Sequence, residues 1–326
     1  DYNTPDDYPT FPEAIADTLT ERARATLRVL RVRPAVHMER FAPHTHLKAL
    51  EPVSRNVAIR RSSPANRWIL STNTDMIFVP RAGMSLTDAV SDLQHGFYCT
   101  PRFEIPETLW EDFDRFDAAG TVARVRSLGE ALHLNEVVLG SDVIRYDAPG
   151  DFQLIARDDL FRIHGFHEGM LRGWHVDSNI SQRLRLLHGE VGDALPAVFG
   201  YHCDHTRQVT PAHAHGSVQN DPDRFVNDVS DPTVSEQADI WGLADLDIEE
   251  VSLRSGTSAV YLAALRKAIA RPLVEPSVAS YRTETYDSVP ASAEHVLPFL
   301  MDLYASLPRH TELVWLGAHG PMLDLF

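Results

Sequence analysis

Cysteine is nearly absent from this chain. Cys99 and Cys203 are the only two in 326 residues, which excludes a disulfide framework and a multi-cysteine zinc cluster. A chain of this length buries enough core to need neither. Lysine is just as scarce. Lys48 and Lys267 are the only lysines among 30 basic residues, so arginine carries nearly all the positive charge. That suits bidentate contacts to phosphate or carboxylate, and a bias in genomic base composition gives the same pattern. Positive charge is itself short: 46 acidic residues leave a net charge of -16. This argues against broad binding to nucleic acid or to an anionic membrane surface, while leaving room for a small basic pocket. No apolar run approaches the roughly 18 residues of a membrane span. The opening residues have neither a basic flank nor an apolar segment, so they are no signal peptide. These absences lead to the expectation of a cytoplasmic protein without a transmembrane segment. The missing initial Met leads to the expectation that the chain begins mid-protein.

What is present is ordinary globular composition, 44% hydrophobic and 23% charged. The length suits two domains, or one large α/β domain with an appendage. Apolar spacing predicts a helix over 11–24 and, after an alternating strand over 26–34, a helix over 47–62 with Pro52 near its start. Residues 67–72 read as a buried strand ending in polar Asn73-Thr74-Asp75. This alternation predicts an α/β layer architecture with a mixed, mostly parallel sheet flanked by helices. Ligands bind outside the carboxyl ends of strands in such sheets. Further on, a helix is expected over 85–95, a strand over 96–103, and helix over 106–132 broken at Gly120. Residues 133–150 are mixed, ending in a Pro149-Gly150 turn. A strand over 151–156 leads to a short helix that ends at Gly165. A helix over 176–189 and a strand over 196–202 follow. Residues 206–239 read as a long loop of the kind that forms lids. Residues 240–271 read as mostly helical, 272–290 as an extended connector, 294–306 as a helix and 312–317 as a short strand.

Three clusters carry candidate chemistry. Asn73 and Asp75 sit between two apolar segments, where a carboxylate needs a partner. A divalent ion such as magnesium or manganese supplies one, and a turn-capping role explains the same residues. In the second cluster, Glu168 follows Gly165-Phe166-His167, and Asp177 opens a helix. Asp177 suits a general base, and equally a helix cap. Glu168 suits hydrogen bonds to sugar hydroxyls. The third cluster is Tyr201-His202-Cys203-Asp204-His205 at a strand end, with imidazoles available as metal ligands.

In order, these segments follow a known pattern. Arg55-Asn56-Val57-Ala58-Ile59-Arg60 followed by Ile69-Leu70-Ser71-Thr72-Asn73-Thr74-Asp75 resembles the nucleotide-sugar glycosyltransferases of the A-type fold. Asn73 stands at the first carboxylate position of that family's metal-binding motif, and Asp75 at the second. Gly165-Phe166-His167-Glu168, Val176-Asp177 with Arg183-Leu184, and Tyr201 to His205 resemble its acceptor turn, its catalytic-base motif and its late metal histidine. Val176 stands where the family usually has Glu. Asp1-Tyr2-Asn3-Thr4-Pro5 resembles a donor-site turn.

The resemblance implies a metal-assisted transfer of a sugar from a nucleoside diphosphate sugar to a glycan or other hydroxyl acceptor, as in bacterial-type polysaccharide synthesis. It implies Asp177 as the base, with Glu168 beside it on the acceptor side. Asp1, Arg55, Asn73, Asp75 and Arg207 fall on the donor side. Asp75, His205 and His202 would hold manganese or magnesium. The resemblance covers residues 1–245, short of the family's first strand-helix unit. It leaves 246–326 as a helical extension and the start of a further α/β unit. Asn73 and Val176, each replacing a carboxylate, keep open a non-catalytic glycan- or nucleotide-binding domain. The histidines keep open a metal-dependent hydrolase.

Overall fold

The computed structural model describes residues 1–128, 150–203 and 218–253, apart from residues 82 and 115. The chain divides into two compact units, Asp1–Tyr261 and Leu262–Phe326. All described residues lie in the first.

The helices are α1 (Phe11–Ala14), α2 (Glu21–Thr26), α3 (Pro34–Arg40), α4 (Glu51–Arg60), α5 (Leu86–Ser91), α6 (Glu107–Trp110), α7 (Ala118–Leu128), α8 (Arg157–Arg162) and α9 (Val176–His188). The strands are β1 (Val29–Arg31), β2 (Trp68–Ser71), β3 (Met76–Pro80), β4 (Phe97–Cys99), β5 (Arg102–Ile105), β6 (Gln153–Ala156), β7 (Gly192–Asp193), β8 (Val198–Cys203) and β9 (Glu249–Val251). They form three sheets, ordered β2-β6-β4-β7, β3-β8-β5 and β1-β9.

The class is α/β with mixed sheets flanked by helices, but the expected parallel majority is not found. The β4-β7 and β5-β8 pairs are parallel, whereas β1-β9, β2-β6, β4-β6 and β3-β8 are antiparallel. The reason is topological. β2 and β3 are consecutive, yet each pairs with a distant strand that returns from beyond residue 150. Strand β6 is buried along its whole length. Leu154 faces a cluster with Phe152, Ala89 and Val198, and Ile155 faces Phe97, Leu160, Ile180 and Leu184. Burial on both faces produces the continuous apolar run of a central strand.

Several boundaries differ from expectation. The helix expected over 11–24 is two short ones joined by a 3₁₀ turn at Ala16–Thr18. Thr10 caps α1 in a capping box, and Thr20 starts α2 with a second cap, so the caps override the apolar spacing. Pro34 ends the strand and begins α3. Thr100-Pro101 divides the strand expected over 96–103 into β4 and β5. Gly120 lies inside α7, not at a break.

The largest correction falls on 240–253. These residues form a turn and β9, not helix. Gly242 and Leu243 both have positive φ. The Gly242 amide donates to Glu168 Oε1 at 2.6 Å. Arg61 donates to the carbonyls of Gly242, Leu243 and Leu246 at 2.7–2.9 Å. Distant side chains thus satisfy the backbone groups that a helix would have paired internally. β9 also carries the sheet contact past residue 245. The expectations for 129–149, 204–217 and 254–326 lie outside the described residues. No described helix is long and apolar enough to cross a membrane.

One buried side chain ties α4 to the turn after α8. Asn56 is fully buried; its Nδ2 donates to the Phe166 carbonyl and to Glu168 Oε1, both at 2.8 Å, and its Oδ1 accepts the Phe166 amide at 2.7 Å. Gly165, at φ +64°, leaves no room there for a Cβ, which would overlap Asn56 Oδ1. Asn56→Ala is expected to cost roughly 2–4 kcal/mol, since it strands buried polar groups. Gly165→Ala should cost less in the Asn56→Ala background than in the native one, because the overlap is gone while the left-handed strain remains. Urea unfolding of the two single variants and the double variant measures this, and strict additivity would argue against the clamp.

Candidate functional site

The candidate site begins where β2 ends. Beyond Ser71 the chain turns through Thr72 and Asn73, whose side chains both find partners. Thr72 Oγ1 donates to the Asp151 carbonyl and Asn73 Nδ2 to Asp151 Oδ1, both at 2.6 Å. Arg102, from β5, pairs with Asp151 Oδ2 at 3.0 Å. Asn73 Oδ1 accepts from Arg55 at 3.0 Å. Arg55 also donates to Ser71 Oγ, pairs with Glu51 one turn earlier on α4, and lies 5.6 Å from the Phe166 ring centroid. Both ends of the Asn73 amide are therefore engaged within the protein, as is Arg55.

Asp75 begins β3. Its carbonyl accepts the Cys203 amide at 2.9 Å, which continues the ladder to β8. Its Oδ2 lies 3.3 Å from His202 Nε2. The histidine is buried, while the Asp75 carboxylate keeps about a third of its surface open (32%). With metal–ligand bonds of about 2.1 Å, two ligands of one ion come to lie at such a separation. The pair therefore fits as two of an ion's ligands. Among the described residues, no group of three or more His, Cys, Asp or Glu side chains is arranged to hold a metal ion. His205 and Arg207 lie outside the described residues.

Asp177 reaches the same region from α9. It is the second residue of that helix, and His175 holds the N-cap position. The Asp177 carboxylate lies directly over Gly150, where any Cβ would collide with it. Gly150 adjoins Asp151, so Asp177 stands beside the residue that fixes Asn73. Gln153, from β6, donates to the Asp177 carbonyl at 3.4 Å. The backbone before Asp177 is strained: Gly173, Trp174 and His175 all have φ between 52° and 69°. For Trp and His such a conformation costs energy and has to be held by its surroundings. Buried Asn220 does this, accepting from the Arg172 amide at 3.2 Å and donating to the carbonyls of Gly173 and Trp174.

The remaining predicted residues are placed as follows. Asp1 pairs with Arg31 at 3.4 Å and accepts from Thr4 at 2.7 Å. With Thr74 it lines a largely apolar cavity of about 370 Å³. Glu168 faces Asn56 and Gly242, and burial raises its pKa against those two hydrogen bonds. His167 sits edge-on to Phe225, its centroid 5.0 Å away, with its pKa lowered chiefly by burial and then by Arg183. Arg183 is buried and donates to the carbonyls of Ile163, Gly165 and Pro232. Burial lowers it to about 9, still cationic near neutrality. The arginine of the Arg183-Leu184 pair is thus a structural tie.

The structure sets Asn73 and Asp177 against neighbouring residues, Asp151 and Gly150, and separately pairs Asp75 with His202. Sequence reasoning gave no role to Asp151, Arg102 or Asn220, although Gly150 to Arg157 resembles the acceptor-side strand of the same glycosyltransferase family. Asp151 had a signal, since a carboxylate directly after Pro149-Gly150 opens an apolar strand. Arg102 and Asn220 had none, because their roles depend on long-range partners.

The sign of the Glu168 shift yields a test. Its pKa is raised on folding, so its contribution to stability is complete below the ordinary glutamate value and is lost as pH rises through the raised one. Glu168→Gln keeps an acceptor for Asn56 and Gly242 and does not titrate. The variant should therefore gain stability relative to the native chain between about pH 4 and about pH 7. Urea midpoints at both pH values measure it; a native chain that gains instead would show that Glu168 is stabilised as the anion.

No protein-family model matches this sequence, and no match was found among curated proteins.

Proposed function

We propose that this chain transfers a glycosyl group from a nucleoside diphosphate sugar to a hydroxyl of a glycan or another acceptor. The observation that supports this reading is that Asn73 and Asp177 both lie against Gly150-Asp151, with Asp75 and its partner His202 just beyond Asn73 along the chain. One side offers groups for a diphosphate and the other offers a base.

Asp75 and His202 would hold a divalent ion, which when bound stabilises negative charge on the departing diphosphate. Asp177 takes the proton of the acceptor hydroxyl. The acceptor oxygen forms the new bond to the anomeric carbon while the bond to the diphosphate oxygen breaks, its electron pair leaving with the diphosphate. This assignment corresponds to inversion at the anomeric centre. Asp177 has the placement of a base because Gly150 leaves open the space where its carboxylate sits and Asn220 fixes the turn before it. The apolar cavity beside Asp1 and Thr74 suits the base of a nucleotide. Arg55 supports this site indirectly, by orienting Asn73.

A second reading is a domain that binds the nucleotide sugar without turnover. The engagement of Asn73 with both Arg55 and Asp151 favours it, since that side chain offers no ligand to an ion.

Asp177→Asn should lower transfer by about 10²-fold or more while donor affinity stays within about twofold, as for loss of a general base. Full transfer by that variant would falsify the base assignment. Asp75→Ala should abolish the manganese dependence of donor binding measured by calorimetry, and identical titrations with and without manganese would reject the metal role. A native chain that binds donor but releases no nucleoside diphosphate with any acceptor points to the second reading.

A further inference from the structure

A cavity of about 700 Å³ lies between the segment after α3, residues 169–172 and residues 218–225. Its size is that of a small-molecule site. Arg172, Arg224 and His44 line it, facing a single carboxylate, Asp221.

In this acidic chain most described arginines are already engaged. Arg28, Arg33, Arg40 and Arg102 are ion-paired, and Arg31, Arg61 and Arg183 donate to backbone carbonyls. Arg172 and Arg224 differ. Both are exposed, and among the described residues neither guanidinium has an ion pair or a hydrogen-bond partner. Arg224 lies over the Phe225 ring, its Cζ 4.8 Å from the centroid. The amide of Arg172 is held by Asn220. Asp221, the counter-charge at hand, is turned to the backbone: its Oδ1 accepts the amides of Asp223 and Arg224 at 3.0 and 3.4 Å. Two guanidiniums anchored at their bases and open at their tips are suited to a planar or tetrahedral oxyanion.

We propose that this cavity is a binding site for a small ligand carrying a phosphate or carboxylate group, gripped by Arg172 and Arg224. The site does not depend on the transferase reading, although its wall at 169–172 lies in the chain between Glu168 and Asp177.

Titration calorimetry of the full chain at low salt tests it with three probes: glycerol phosphate, glucuronate and glucose. The expected result is binding of at least one anion, no detectable binding of glucose, and affinity at least about tenfold lower in Arg172→Ala and in Arg224→Ala. Arg22→Ala, an exposed arginine remote in sequence, should leave affinity unchanged. A stronger response to glycerol phosphate identifies phosphate as the recognised group, and a stronger response to glucuronate identifies carboxylate. Arg172→Ala should keep the native melting temperature, and Arg224→Ala should lose no more stability than its contact with the Phe225 ring supplies. Equal binding of glucose, no binding of either anion, or affinity unchanged in both variants overturns the proposal.

Discussion

The carboxylate of Asp151 is the joint on which the candidate site depends. It is buried and binds Asn73 through one oxygen and Arg102 through the other. Asp151 leads into β6 of the four-stranded sheet, Arg102 belongs to β5 of the three-stranded sheet, and Asn73 lies on the turn from β2 to β3. One residue thus links both sheets and the turn between them. Removing one partner of such a pair leaves a charge buried and unanswered, which costs about 3–5 kcal/mol. The pairing is therefore a strong constraint on geometry, whatever its net contribution to stability.

From that joint the polar residues divide by what their side chains are doing. Asn56, Asn73, Arg55, Arg183 and Asn220 spend their hydrogen bonds within the protein, on backbone groups or on neighbouring side chains. They hold the turns after β2 and α8 and before α9. Asp75 and Asp177 are carboxylates that keep part of their surface open. A rigid polar frame with a few accessible carboxylates is the arrangement that preorganised chemistry requires. The strained Gly173-Trp174-His175 backbone fits the same division, because strain of that kind persists only where the surroundings fix it.

Sequence legibility follows the range of the forces involved. The helices α4 and α9 and the strands β2 and β6 are readable from local spacing, because each presents an apolar face to a nearby core. Gly189, at φ +82°, ends α9 where a glycine C-cap is expected. Strand direction is not readable in this way, since the partners of β2 and β3 lie roughly 80 or more residues further along the chain. The turn at 240–246 is hidden for the same reason. Its residues have helical character, but Arg61 and Glu168 capture their backbone groups from elsewhere. Within the site, Asp75, His202 and Asp177 can be identified by type and position, whereas the commitment of Asn73 and Arg55 to internal bonds becomes visible only in three dimensions.

Charge reaches further than any single contact. A net charge of -16 repels anions at a distance, yet at physiological salt that repulsion fades over about 8 Å. Inside that distance, the local arrangement decides. Most described arginines hold the fold together through carboxylates and carbonyls, so among the described residues cationic character is largely spent internally. What remains open is local: guanidiniums not answered by a carboxylate. Polyanions need positive charge spread over a wide face, while a small oxyanion needs only one or two well-placed arginines. The acidic composition and a capacity to bind a compact anion are therefore compatible, because they act at different distances.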